Sequence, residues 1–313
     1  MITVLAGGVG AARFLRGLVQ VVDPSRITAV VNVGDDLQVH GLHVSPDLDS
    51  ITYHLGGVVH PQQQWGRAEE TFTVAGELER LGRPTWFTLG DRDLGVHVHR
   101  TARLHEGATL SQVAAEVAHA FGVGVTLLPA TDDPVATRVH TSDGRDLHFQ
   151  EYWVQERAAP VVERIELAGR HDARPAPGVI EAIVDADAVL VAPSNPVVSI
   201  GTILAVPGIA EAVRTTPAPV VGVSPIVGGD VVRGMADRLL PAIGVEVTAA
   251  GVAAHYADWL DGWVLDDADA DAADEVAGLG VHPVVTDTMM DEPDVAAALA
   301  QTCLDLASEL ANG

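Results

Sequence analysis

The chain has 313 residues, 48% hydrophobic and 19% charged, a balance that suits one elaborated α/β domain or two fused parts and excludes a disordered chain. Its formal net charge of −25 argues against nucleic-acid binding, which needs a basic face to displace counterions. All 18 basic residues are arginine, so no mechanism here uses a Schiff-base lysine or a P-loop lysine.

Lysine loss with aspartate in excess of glutamate is the composition expected of a salt-rich cytosol, and a GC-rich genome would produce the same exchange. The single cysteine, Cys303, excludes an internal disulfide and a cysteine zinc site and reads as a core residue. No basic leader precedes the first strand. The longest apolar stretch, 197–213, is interrupted by Ser199, Gly201, Thr202, Pro207, Gly208 and Glu211, which is poor chemistry for a membrane span. A cytoplasmic protein with no membrane partner is expected.

Residues 2–6 read as a strand, followed by Gly7-Gly8-Val9-Gly10 and a helix pattern over 11–22. Strand, glycine turn and helix aim backbone N–H groups at a phosphate. The loop is not a Walker motif, and Arg13 stands where a dinucleotide fingerprint has its third glycine. Arginine suits a phosphate contact because it donates two parallel hydrogen bonds. Many such turns merely reverse the chain.

After a buried strand at 27–31 comes NVGDDLQVHGLHVSPDLDS over 32–50, with four carboxylates: Asp35, Asp36, Asp47 and Asp49. Ser45-Pro46 reads as a capped helix start. Crowded carboxylates are unfavourable unless a cation or donor groups offset them, so the stretch reads as a cation site or, equally, as a solvated turn with ordinary caps. A helix is expected over 69–81 and a strand over 85–89, running into Gly90-Asp91-Arg92-Asp93 at a second strand end. That cluster is a ligand-binding rim or a salt-bridged turn.

A helix with a serine N-cap is expected over 111–121 and a strand over 123–128. The texture then changes to alternating runs at 136–140 and 145–153 around Thr141-Ser142-Asp143-Gly144, a hairpin signal. Residues 132–169 therefore form an antiparallel insertion between core parts 1–131 and 170–313, with Phe149, Tyr152 and Trp153 read as packing. The strand at 188–192 leads through Pro193-Ser194-Asn195-Pro196 into a helix, a second unit able to donate to anionic oxygens. A third runs from 220–223 into Ser224-Pro225. Helices and strands then alternate to a helix over 295–310, and the acidic run 266–274 lacks the glycine and spacing of a calcium loop.

Together, GGVG-x-x-R, NVGDD, SPDLD, LGDRD, FQEYWV, APSNPVVSIG, SPI-x-GG and RGMAD resemble the 2-phospho-L-lactate transferases (CofD, called FbiA in actinobacteria) of coenzyme F(420) biosynthesis. The resemblance covers about residue 1 to Tyr256. It implies a Rossmann-like, mostly parallel sheet with an inserted smaller β-containing part, and a homodimeric enzyme using Mg2+. It implies a guanosine diphosphate-linked donor bearing 2-phospholactyl or phosphoenolpyruvyl, and the deazaflavin Fo as acceptor. The ribityl hydroxyl of Fo attacks phosphorus and GMP leaves.

On that resemblance, Gly7, Gly8, Gly10 and Arg13 hold the diphosphate, and Asn195 and Ser199 touch the nucleotide. Asp49 accepts or orients the hydroxyl proton, Arg92 grips the Fo side, and Arg13 completes the catalytic set. Asp47 and Asp49 ligate the metal, with Asp35 and Asp36 as alternatives. The HFQEYWV and APSNPVVSIG segments favour phosphoenolpyruvyl and the acidic composition favours phospholactyl, so both donors stay open. Two rivals are a glycine-loop sugar nucleotidyltransferase and a non-catalytic GDP- or deazaflavin-binding protein. A nicotinamide oxidoreductase would need an acidic residue ending the second strand, where Asn32 stands.

Overall fold

The computed structural model describes residues 1–313. Its strands are β1 (Ile2–Ala6), β2 (Ile27–Val31), the small hairpin β3 (Leu37–Val39) and β4 (Leu42–Val44), β5 (Thr126–Pro129), β6 (Ala136–Thr141), β7 (Asp146–His148), β8 (Val162–Ala168), β9 (Ala188–Val191), β10 (Val220–Val223), the ribbon β11 (Ile226–Val227) and β12 (Asp230–Val231), β13 (Gly262–Leu265) and β14 (His282–Val285). Seven of them form one parallel sheet in the order β14-β13-β10-β9-β1-β2-β5. β1, β2, β9, β10 and β13 are buried along their whole length, which is why they read as continuous apolar runs.

The chain winds outward from β1 in both directions, through β2 and β5 on one side and through β9 to β14 on the other. The strand order therefore reverses between β1 and β9. In open α/β sheets that switch point is where the loops at the strands' carboxyl ends part to admit a ligand.

The first half's helices are α1 (Gly8–Val21), α2 (Pro46–Leu55), α3 (Thr73–Arg80), α4 (Asp91–His105) and α5 (Leu110–Ala120). α1 packs its apolar face, including Phe14, Leu15 and Leu18, into the core shared with Leu299, Cys303 and Leu306 of the C-terminal helix Pro293–Asn312. Cys303 is fully buried there, as expected, and burial pushes its thiol well above the ordinary range. A second core under the opposite sheet face gathers Val189, Ile200, Ile203 and Trp263. No single helix is long and apolar enough to cross a membrane.

The antiparallel sheet β7-β6-β8 lies within 132–169, with Val139 opposite Leu147 and Ile165. The strand expected over 145–153 stops at His148, and Glu151–Gln155 is a wide π-helical turn. The strand expected at 85–89 does not form; that segment is irregular, and Asp91 opens α4 instead of ending a strand. The caps differ too. Thr109 and Gln112 make the capping box of α5, while Ser111 is engaged by Asp132. Ser45 does not cap α2; its hydroxyl donates to Asp36 at 2.7 Å.

Candidate active site

β1 and β9 bring their following loops side by side at the switch point. Ser194 Oγ donates to the Gly7 carbonyl at 2.8 Å and accepts from the Gly7 N–H at 3.1 Å. Gly8 has φ +69°, which favours glycine, and a Cβ on Gly10 would collide with the Pro193 carbonyl oxygen. These glycines allow the two loops to touch. Asn195 caps the next helical turn, its Oδ1 accepting from the N–H groups of Val197 and Val198 at 2.9 and 3.2 Å.

A cavity of about 630 Å³ opens over this junction. Gly7, Gly8, Gly10, Arg13, Asn195 and Ser199 all line it, as do Asp35, Asp47 and Asp49. The sequence motifs thus converge from three separated segments. Arg92 and Asp36 are not in the wall. Arg92 is half exposed and pairs with Glu69 at 3.3 Å. Asp36 sits behind the wall, accepting from His43 Nε2 at 2.9 Å and from Ser45.

The carboxylates are distinct. Asp47 accepts from Asn32 Nδ2 at 2.9 Å, while the same amide donates to the Val198 carbonyl and Asn32 Oδ1 accepts from the Gly34 N–H. Burial nevertheless raises Asp47 to about 7, against the pull of Asn32 and the Gly8 N–H and with repulsion from Asp36 adding to it. Asp35 is raised well above the ordinary range, first by burial and then by the charge of Asp47. Its Oδ2 accepts from Gln150 at 3.2 Å, and its Oδ1 is buried without a partner. Asp49 is the opposite case. Arg100 grips it with both terminal nitrogens, Nη1 reaching Oδ2 at 3.1 Å and Nη2 reaching Oδ1.

Arg100 belongs to α4, is 2% exposed, and was not singled out in the sequence. Nor was His97, which stands one turn earlier with Nδ1 3.7 Å from Asp49 and Nε2 3.3 Å from Asp93. Tyr53 of α2 donates its hydroxyl to Asp93 at 2.5 Å. Asp93, His97 and Arg100 fall at i, i+4 and i+7 on one helical face, a spacing visible in the sequence once α4 is recognised as a helix.

Two further features were missed. Arg233 lines the cavity with Arg13, and its proton is loosened first by burial and then by the Arg13 charge. Arg13 itself pairs with Asp291 at 3.2 Å. Three of the five tryptophans, Trp65, Trp86 and Trp153, also reach the cavity. Trp153, expected to pack, is 40% exposed, whereas Phe149 and Tyr152 are buried as expected.

A switch-point cavity with a glycine loop, paired arginines and buried carboxylates defines a Rossmann-like enzyme that handles phosphate groups by positioning and charge. The family profile described as 2-phospho-L-lactate transferase CofD matches residues 2–303. Relatives called phosphoenolpyruvate transferase are 50% identical in Kitasatospora aureofaciens, over 100% of this chain and 99% of that one, and 51% identical in Streptomyces coelicolor, over 99% and 98%. The Mycobacterium tuberculosis relative of the same description is 44% identical over 99% of each chain. A solved structure of a Bacillus halodurans protein of the UPF0052 family shares the fold, with a TM-score of 0.67 at 19% identity over 97% of this chain and 98% of that one. The chain belongs to the CofD family, and it is a group-transferring enzyme.

Proposed function

We propose that the enzyme transfers a phosphoenolpyruvyl group from its guanosine diphosphate adduct to the ribityl hydroxyl of the deazaflavin Fo, releasing GMP, as a step of coenzyme F(420) biosynthesis. The observation that carries this reading is the single cavity in which the glycine loop, Arg13, Arg233 and the raised pair Asp35 and Asp47 meet an aromatic wall. The hydroxyl oxygen forms a bond to the phosphorus bearing the enolpyruvyl group, and the bond from that phosphorus to the GMP oxygen breaks. Such displacement needs charge neutralisation and alignment, not a covalent nucleophile. The names of the relatives favour phosphoenolpyruvyl over phospholactyl.

Gly7, Gly8 and Gly10 bring backbone close to the diphosphate, and Arg13 with Arg233 answers its charge. Asn195 and Ser199 face the nucleotide half of the donor. The residues fit a magnesium ion: hard carboxylate oxygens are its preferred ligands, and Asp35 Oδ1 is buried with no partner. Asp35 and Asp47 would hold it, because Arg100 takes both oxygens of Asp49 and because Asp36, whose Oδ1 is also unpartnered, does not line the cavity. Held there, it would supply positive charge to the diphosphate oxygens.

The test incubates enzyme, Mg2+ and Fo with guanylylated phosphoenolpyruvate or guanylylated phospholactate and separates the products by chromatography. GMP and a phosphodiester of Fo are expected, faster with the phosphoenolpyruvyl donor. No GMP with either donor would end the reading. Pyrophosphate release from GTP would favour the nucleotidyltransferase instead.

A further inference from the structure

We propose that His97 and Asp93 form a notch that selects and orients the attacking hydroxyl, His97 Nε2–H donating to its oxygen while Asp93 Oδ2 accepts its proton. This rests on the transferase reading above and assigns two residues to the acceptor that its motifs leave without a role.

The tautomer of His97 follows from its neighbour. Arg100 Nη1 lies 3.2 Å from His97 Nδ1. A guanidinium donates only and stays charged, so Nδ1 carries the lone pair and the ring proton sits on Nε2. That N–H has no aligned hydrogen-bond partner in the protein, although the ring is 1% exposed. A buried donor left unmet is unfavourable, and native proteins keep few of them outside functional sites.

His97 and Asp93 both line the cavity. Asp93 Oδ2 lies 3.3 Å from His97 Nε2, while Asp93 Oδ1 is taken by the Tyr53 hydroxyl. At the wall one unmet donor, its nitrogen buried, therefore lies beside one open acceptor. A hydroxyl satisfies both at once. A phosphate or carboxylate oxygen does not, because it has no proton for Asp93 and would meet a like charge. Burial favours the protonated form of Asp93, and the Tyr53 hydrogen bond and the Arg100 charge oppose it.

An ionised, weakly basic carboxylate suffices for this step. The transition state of phosphoryl-type transfer is loose, so little deprotonation of the nucleophile is needed before the O–P bond forms. As it forms, the proton passes to Asp93 Oδ2 and then to solvent. The electron pair of the breaking P–O bond goes to GMP. Arg100 acts through others: it fixes the His97 tautomer and holds Asp49, touching neither substrate.

The test is steady-state kinetics of the full chain with Mg2+, guanylylated phosphoenolpyruvate and Fo. His97→Asn keeps an amide near Nδ1 but removes the Nε2 donor, and His97→Gln places an amide nitrogen near Nε2. We expect His97→Asn to lower kcat/KM for Fo about 10- to 100-fold while the donor KM stays within about two-fold. His97→Gln should recover most of that loss, and Asp93→Asn should lose as much as His97→Asn. A further arm needs no variant: wild-type enzyme should bind Fo more tightly than a deazaflavin whose side chain lacks hydroxyls, and His97→Asn should erase the difference. Equal losses in the Asn and Gln variants, a shift in the donor KM, or wild-type kinetics in His97→Asn would overturn the proposal. If wild-type enzyme releases no GMP, the transferase reading fails, and the hydroxyl discrimination still decides the notch.

Discussion

Asp47 and Asp49 are two residues apart on α2 and do opposite things. Asp47 is buried beside Asp35 and holds its proton to about 7, so without a divalent cation it contributes stability at low pH that is lost as pH rises from about 4 through about 7. Magnesium needs the deprotonated pair. The rise in Tm on adding Mg2+ should therefore be small near about pH 5 and clearly larger near about pH 8, and Asp47→Asn should flatten the trend. A pH-independent rise would remove the ion from this pair. Asp49, by contrast, has its charge paired in the interior with the Arg100 guanidinium. Arg100→Ala should cost about 3–5 kcal/mol by leaving that charge uncompensated, seen as a lowered urea midpoint. Arg92→Ala, which breaks only an exposed pair with Glu69, should change stability by less than about 1 kcal/mol and kcat/KM for Fo by no more than about three-fold. The aspartates stand out in the sequence because their motifs are local. Arg100 and His97 escape notice until α4 is recognised as a helix, because only then does their shared face with Asp93 emerge, and the partner Asp49 lies on another helix.

α4 is the element whose character decides the site, and hydrophobic periodicity missed it. Its inward face carries His97 and Arg100 beside Val96, so the residues that should have been apolar are ionic. Its start is also built from a distance: Glu70 accepts from the N–H groups of Arg92 and Asp93 at 2.8 Å each, and Asp91 accepts from Thr71, Thr73 and Val74. The short apolar run before it resembled a strand, but Trp86 and Phe87 turn to the cavity instead of a sheet. The parallel strands were legible for the converse reason, since burial on both faces demands unbroken apolar runs. The glycine loop belongs to this scale too. Gly10→Ala would press a methyl into the Pro193 carbonyl and separate the two loops. A loss of about 1–3 kcal/mol in unfolding free energy and a raised donor KM are expected, and an unchanged donor KM would detach the loop from donor binding.

At the scale of the whole molecule, a switch point between β1 and β9 gathers loops from distant segments over one cavity, with the antiparallel insertion supplying Phe149, Gln150 and Trp153 to its wall. Topology was readable as alternation of strands and helices; the order of the strands, and with it the partnership of the Gly7 and Ser194 loops, was not. The net charge of −25 acts on the same scale. Self-repulsion is screened by salt, so the unfolding midpoint should climb by several degrees between about 0.1 M and about 2 M KCl, and a flat response would discard the salt-adapted reading of the composition. The proposed transfer turns on which phosphorus is attacked, and ³¹P NMR of one reaction mixture distinguishes the two. Enzyme, Mg2+, Fo and guanylylated phosphoenolpyruvate should give GMP as a phosphomonoester together with a new phosphodiester carrying the enolpyruvyl group. Free phosphoenolpyruvate with a guanylylated deazaflavin would place attack on the other phosphorus and overturn the proposed transfer.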